Sequence, residues 1–426
     1  MLVKATIENI LSYDAPTTFS LVAGKITKQH TEQVRNVNGV SVLRGAIVYG
    51  PNAAGKSNLL KAILALTQML NGDSCRYSYG CQFKLTGNPR SDMSWDIVFS
   101  REGRIYRYLV KTDGVSISEE RLWLVSDEEE MVFERIGINV SFGKMFSDRT
   151  WYEGRSFEKS GFVICTLKRD GIIDRRDSIP NSDVIIHAIE GLQEIVVLSS
   201  DSIPETQYIG NLLKIEEFMA FLKRLMTVAD IGITDVQWRG CSRDQAMLIL
   251  DRHRSNVLVR QDGVQFAKDG QALWAIVTRD GNSDVFELKF IHNGFELSLN
   301  DESVGTIRLF KLSVFLFNLK RIPSVWMIDE IDCHLHPSMT YRLLKEFMTM
   351  PDVASQLIVT AHDTSLMTHD IWRTDEVWFA EKRMDGSSDL YSLYQFTPRF
   401  DKRLEKGYRQ GLYGAMPHIG GEMLNG

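Results

Sequence analysis

The chain has 426 residues, of which 44% are apolar and 24% charged, and a formal net charge of −6. That length fits two or three lobes, and that composition is ordinary for a globular protein, so global disorder and low complexity are excluded. The negative balance gives no support for strong non-specific DNA binding, while it leaves a local basic groove open.

The opening residues MLVKATIENI have no basic segment ahead of a long apolar run, so no secretory leader is expected. Leu2–Asn9 alternates apolar and polar residues, as a half-exposed strand does. Gly45–Tyr49 is nearly all apolar and fits a buried strand. A turn of small residues follows. Leu59, Leu60, Ile63, Leu64 and Leu66 then recur at helical spacing, and Asn71-Gly72 marks the stop. Between strand and helix lies Gly50-Pro51-Asn52-Ala53-Ala54-Gly55-Lys56-Ser57, which matches G-x-x-x-x-G-K-[ST]. Phosphate oxygens need several backbone N–H donors in one concavity, and a helix N-terminus adds positive potential. Lys56 is expected on the β- and γ-phosphates and Ser57 on Mg²⁺. The plain alternative is a glycine-rich turn, which the strand-to-helix context disfavours.

From about residue 75 to 200, short runs such as Trp95–Phe99, Arg104–Val110 and Arg121–Val125 are separated by Gly, Asp and Ser, the pattern of antiparallel hairpins. Asn211–Ala229 has the spacing of one amphipathic helix. Leu273–Thr278 and Val285–Ile291 read as further strands. Five cysteines (Cys75, Cys81, Cys165, Cys241 and Cys333) are scattered with no CxxC pair, so reduced thiols are expected. The basic clusters Lys168-Arg169, Arg175-Arg176, Arg252–Arg254 and Lys402-Arg403 are short, and each reads as a solvated face.

Beyond about residue 300 the α/β pattern returns. Thr306–Leu319 reads as a helix, and so does Pro337–Met350, with Pro337 at its first position. Val325–Ile328 and Gln356–Thr360 are apolar runs suited to parallel strands buried on both faces. No apolar run approaches the roughly 18 residues of a membrane span, and a cytoplasmic protein is expected. Val325–Ile328 ends in Asp329-Glu330, a Walker B arrangement: Asp329 to hold Mg²⁺ and Glu330 to act as general base. Gln356–Thr360 leads into Ala361-His362-Asp363, which places His362 where it can contact a γ-phosphate. Cys333, His334 and His336 read more readily as a loop entering a helix than as a metal site.

Four features together resemble the ABC-type P-loop ATPases of the SMC/RecF branch: Ile7-Glu8-Asn9-Ile10-Leu11-Ser12, the P-loop, Val325–Glu330 and Thr360-Ala361-His362-Asp363. More closely, they are similar to OLD-like prokaryotic ATPases of anti-phage, abortive-infection defence. The resemblance covers the first 70 residues or so and the stretch from about 295 onward. It implies an α/β fold with a mostly parallel core sheet, an antiparallel β lobe and an inserted helical arm. The corresponding segments are an N-terminal ATPase lobe (1–72), an antiparallel lobe (73–200), an inserted helical and β arm (201–295), a C-terminal ATPase lobe (296–397) and a Gly-rich basic tail (398–426). It also implies a signature segment, Glu302-Ser303-Val304-Gly305-Thr306, whose Ser303 and Gly305 meet the γ-phosphate held by another subunit. On residues alone this stretch is equally a capped helix start, with Ser303 or Thr306 as N-cap. No convincing glutamine loop is found, Gln82 being a weak candidate, and the arm is far too short for a long coiled coil.

The implied activity is ATP hydrolysis with Mg²⁺ in a homodimer or higher homo-oligomer. Its implied use is a nucleotide-dependent switch that controls a separate effector, a nuclease on another chain. The residues after His362 contain no DxD pair, so that nuclease is expected in trans. The tail, with Tyr408 and Tyr413 interleaved among basic residues, is expected to dock a partner, although a flexible end also fits. Two other uses of the same parts are a DNA-repair ATPase that clamps DNA directly and a scaffold assembled by ATP with little turnover.

Overall fold

The computed structural model describes residues 1–26, 29–85, 92–146, 151–152, 155–176, 178–199, 206–229, 232–252, 263–279, 282–351, 353–397 and 403–416. Arg254, Lys402 and the end of the basic tail lie outside them. The chain forms two compact units, one of residues 1–200, 322–333 and 340–426, the other of 201–321 and 334–339.

The apolar runs of the first unit become a six-stranded sheet. Its order is Ile195–Leu198, Val325–Ile328, Gln356–Thr360, Gly45–Tyr49, Val377–Lys382, Ser388–Ser392. Every pairing is parallel except the last. The strands Gly45–Tyr49, Val325–Ile328 and Gln356–Thr360 are buried at every position, which explains why they lack polar alternation. The register sets Ile328 beside Val359 and Thr360 beside Val48. The acidic strand end, the histidine strand end and the P-loop strand end therefore emerge side by side.

A seven-stranded antiparallel sheet forms the other layer of this unit. It runs Asn139–Phe142, Glu129–Ile136, Ile117–Val125, Arg104–Thr112, Met93–Arg101, Leu2–Glu8, Thr17–Ser20. Helix Lys56–Asn71 lies against it, and Trp95 Nε1 donates to the Ala62 carbonyl at 2.8 Å. Leu59, Leu60, Ile63 and Leu66 of the helix are at most 1% exposed. Each such burial is worth about 1.5–3 kcal/mol. They share one hydrophobic cluster with Val48, Met327 and Ile358 of the parallel sheet and with Trp95, Phe99 and Tyr106 of the antiparallel one. That cluster also covers the wholly buried Glu120, which accepts from Tyr108 Oη at 2.9 Å and from Val163 N at 2.8 Å, with Arg135 Nη1 3.8 Å away.

The second unit has its own antiparallel sheet, in the order Asp235–Gly240, Asn282–His292, Ala272–Arg279, Gly263–Asp269, with Phe295–Ser298 added beside Asn282–His292. Its apolar face and the helices share a cluster that includes Phe218, Leu222, Leu288, Phe290 and Phe310. The single helix expected over Asn211–Ala229 is two helices, Thr206–Leu213 and Glu216–Val228. Lys214 N and Ile215 N bond three residues back, and Ile215 is extended at φ −84°, ψ 119°. Glu216 and Glu217 then open a new helix, where acidic side chains suit the N-terminal dipole. Apolar spacing continues across the break, so periodicity alone reads through it.

Among the described residues no helix is long and apolar enough to cross a membrane.

Candidate nucleotide site

Strand Gly45–Tyr49 ends inside the sheet, and the chain must turn at once into helix Lys56–Asn71. Two glycines make that turn possible. Gly50 has φ 149°, and a Cβ there would stand 2.2 Å from the Ala380 carbonyl oxygen of the adjacent strand. Gly55 has φ 114°, with Ser388 Oγ only 2.4 Å from where its Cβ would be. Ala53 also has positive φ, at 61°. The helix has neither a side-chain cap nor an acid in its first turn. Its first N–H groups are thus not claimed by a capping side chain, which is the arrangement an anion site requires.

Lys56 is nearly buried and bends back over the loop, its Nζ donating to Gly50 O at 2.8 Å and Pro51 O at 3.1 Å. Burial lowers the pKa of its ammonium, while Asp329, Glu330 and Asp332 oppose that shift. Three carboxylates beside one buried cation offset the cost of burying its charge.

Asp329 is buried, and its Oδ1 accepts from Ser57 Oγ at 3.0 Å and from Thr360 Oγ1 at 2.5 Å. Glu330 follows in the left-handed region at φ 47°. Its half-buried carboxylate stands 3.7 Å from His362 Nε2, and the imidazole is 41% exposed. Asn52–Asn58, Glu330 and His362 line one cavity of about 350 Å³. A hydroxyl and a carboxylate oxygen 3.0 Å apart at its edge form a hard oxygen donor set, which suits Mg²⁺ once phosphate oxygens join it.

The structure therefore brings together Gly50–Ser57, Asp329, Glu330 and His362. Ser303 and Gly305 belong to the second unit. There Ser303 is the N-cap of helix Val304–Asn318, its Oγ accepting from Thr306 N at 3.1 Å. A Cβ at Gly305 would come within 2.9 Å of His334 O. Gln82 donates to the Asp113 carbonyl at 2.8 Å.

Motif spacing does not single out several residues that complete the site. Thr360 bonds to both members of the acidic pair. Tyr13 Oη donates to Gly55 O at 3.0 Å, and Ser388 N donates to Ser12 O at 2.7 Å, bracing the loop from behind. Besides its place at the head of Thr360-Ala361-His362-Asp363, the signal for Thr360 is a β-branched hydroxyl at the end of a strand otherwise made of Gln, Leu, Ile and Val.

A second cavity of about 540 Å³ adjoins the first through Asn52 and His362 and reaches the tail at Tyr408 and Arg409. Arg409 donates to Thr364 Oγ1 at 3.0 and 3.1 Å, and Tyr408 stacks on Phe379 with ring centroids 5.3 Å apart. The described part of the tail, residues 403–416, thus packs on its own body.

Residues 259–367 match the family described as the AAA ATPase domain. The match spans helix Val304–Asn318, the acidic pair and the histidine strand end, about a quarter of the chain. None of the curated proteins matches the chain. Distant likenesses exist among solved structures. One is an SMC head bound to the C-winged helix domain of ScpA, with a TM-score of 0.47, 15% identity, and 96% of this chain and 99% of that one covered. Another is the SMC head domain from Thermotoga maritima, with a TM-score of 0.40, 14% identity and coverage of 92% and 98%. A third is an Smc head with an extended coiled coil bound to the C-terminal domain of ScpA, from Pyrococcus furiosus, with a TM-score of 0.43, 15% identity and coverage of 96% and 98%.

Proposed function

We propose that this protein is an ABC-type ATPase of SMC/RecF character that hydrolyses ATP in a site shared between two copies. The observation that carries this reading is the convergence of Lys56, Ser57, Glu330 and His362 on one cavity at the ends of three adjacent parallel strands, with Asp329 bonded to Ser57 at its edge. The loop amides and helix N-terminus bind the β-phosphate, and Lys56 leaves its carbonyl partners to neutralise the terminal phosphates. Ser57 and Asp329 hold Mg²⁺, which when bound offsets charge on the phosphate oxygens. Glu330 accepts the proton of the attacking water. His362, exposed beside Glu330, senses the γ-phosphate.

Ser303 and Gly305 of a second copy complete the site. A helix N-terminus offers N–H groups to anionic oxygens, and Ser303 frees its hydroxyl by giving up its bond to Thr306. ATP then joins two copies, and hydrolysis separates or reshapes them. The protein works as a nucleotide-dependent switch in anti-phage defence and controls a separate effector, a nuclease.

The test is ATP turnover by the wild-type protein and by mixtures of Lys56→Ala with Ser303→Arg. Each variant alone is inactive in the expected result, and mixing restores part of the activity. Absence of turnover in the wild type overturns the hydrolase reading. Absence of recovery in mixed assemblies overturns the shared site. Strong, salt-sensitive DNA binding by the protein alone replaces the switch with a DNA clamp.

A further inference from the structure

The hydroxyl of Thr360 sits at the junction of the groups assigned to metal and water. Thr360 is the last residue of the histidine strand and has no exposed surface. Its Oγ1 donates to Asp329 Oδ1 at 2.5 Å and accepts from Glu330 N at 2.8 Å. Its backbone carbonyl accepts from Ile331 N at 3.0 Å. One residue thus fixes three consecutive positions of the acidic loop. A threonine hydroxyl has one proton to donate, and here its donor is used on one acid and a lone pair on the backbone of the next.

The second observation is backbone strain. Glu330 has φ 47°, a left-handed conformation that is unfavourable for a residue with a Cβ. Such a conformation persists only where its surroundings hold it. The Glu330 N–H to Thr360 bond and the Ile331 N–H to Thr360 bond flank that residue on both sides. The strained turn directs the Glu330 carboxylate toward His362 and the cavity, while Asp329 stays beside Ser57.

We infer that Thr360 is a positioning residue that sets Asp329 and Glu330 in register: its hydroxyl aims the metal-binding oxygen of the first and its two backbone-directed bonds hold the turn that aims the second. This rests on the proposed ATPase reading. Through Asp329 the hydroxyl acts on Mg²⁺ affinity, and through Glu330 on turnover. Ser57 Oγ donates to the same Asp329 oxygen. If Ser57 turned its hydroxyl to a metal ion, the Thr360 bond would still hold Asp329 in place.

The experiment compares wild type, Thr360→Val, Thr360→Ala and Thr360→Ser by three readouts. These are affinity for a fluorescent non-hydrolysable ATP analogue without Mg²⁺, the Mg²⁺ concentration that half-saturates the analogue-bound protein, and kcat. In the expected result the metal-free affinity of every variant stays near wild type. Valine and alanine raise the Mg²⁺ midpoint and lower kcat by about 10–100-fold, as loss of a group supporting a metal ligand does. Serine, which keeps the hydroxyl, returns both toward wild type. Valine and alanine variants that keep the wild-type Mg²⁺ midpoint and kcat overturn the inference, as does a serine variant as impaired as alanine. Should valine not fold, alanine and serine alone decide. A wild-type protein that binds the analogue but never turns ATP over overturns the ATPase reading itself, and the Mg²⁺ midpoints still judge the Asp329 half of the inference.

Discussion

Asp332 holds His362 by the main chain. Its Oδ2 accepts from His362 N at 2.8 Å and from Asp363 N at 2.6 Å. The two strand-end loops are thereby joined a few residues beyond the bonds made by Thr360. Asp332 thus has a role within its own chain.

Replacing Asp332 by alanine strips both amides of their acceptor. Hydrogen bonds to a charged group are worth about 1.5–3 kcal/mol. The His362 loop loosens, and turnover falls by about tenfold or more, because small misplacements at a reacting centre are costly. Nucleotide affinity stays within a few-fold of wild type. Steady-state kinetics beside an equilibrium binding titration make the comparison, and an unchanged kcat refutes the tether.

Lys56→Ala and Glu330→Gln separate binding from chemistry. Lys56 is the one lysine or arginine among the described residues lining the cavity, so its loss is expected to abolish tight nucleotide binding. Glu330→Gln keeps the loop intact and binds ATP, but turns it over about 10²–10⁴-fold more slowly, the usual contribution of a general base. Size measurement with ATP then shows the glutamine variant trapped in the assembled state. Turnover equal to wild type removes Glu330 from the role.

Gly50→Ala tests the tight passage between strand and loop. The new Cβ would stand 2.2 Å from Ala380 O, a backbone atom of the neighbouring strand, at φ 149°. Strain of this kind costs about 1–3 kcal/mol. Gly39→Ala is the control, since Gly39 also has positive φ, at 81°, but nothing within 4 Å of its Cβ position. Thermal unfolding should rank Gly50→Ala well below Gly39→Ala. Equal midpoints would contradict the close approach.

Glu120 gives stability a pH dependence. Burial pushes its carboxyl up to about 7 from an ordinary 4.5, against the pull of Val163 N–H and Arg135. Between those values the folded state keeps a proton that the unfolded state releases. Its contribution is therefore fully present below the ordinary value and is lost as pH rises through the folded one. Glu120→Gln cannot ionise, and its amide can still meet Val163 N–H and the Tyr108 hydroxyl. Unfolding midpoints from pH 5 to 8 should fall less steeply in the variant. Parallel curves would show that Glu120 does not titrate in this range.

Local chemistry made much of this protein readable from its sequence. Gly45–Tyr49, Val325–Ile328 and Gln356–Thr360 are wholly apolar or nearly so because parallel strands are buried on both faces, and their bounds match the structure. The tight turn at Gly50–Ser57 is legible because a strand that passes at once into a helix demands glycine where φ is positive. The break at Lys214-Ile215 was hidden, since apolar spacing on both sides satisfies one continuous helical face.

Tertiary structure alone decided which strands are neighbours, and with that the site. Nearly two thirds of the chain separates Lys56 from Asp329, yet the order of the sheet sets their strands one apart, with the histidine strand between. Thr360 acquires its role only from that order. A hydroxyl at the end of a strand is ordinary until pairing sets an aspartate beside it and the next residue's amide within reach. Periodicity records what each segment buries, whereas hydrogen bonds across the sheet record whom it meets, and the second is a property of the whole fold.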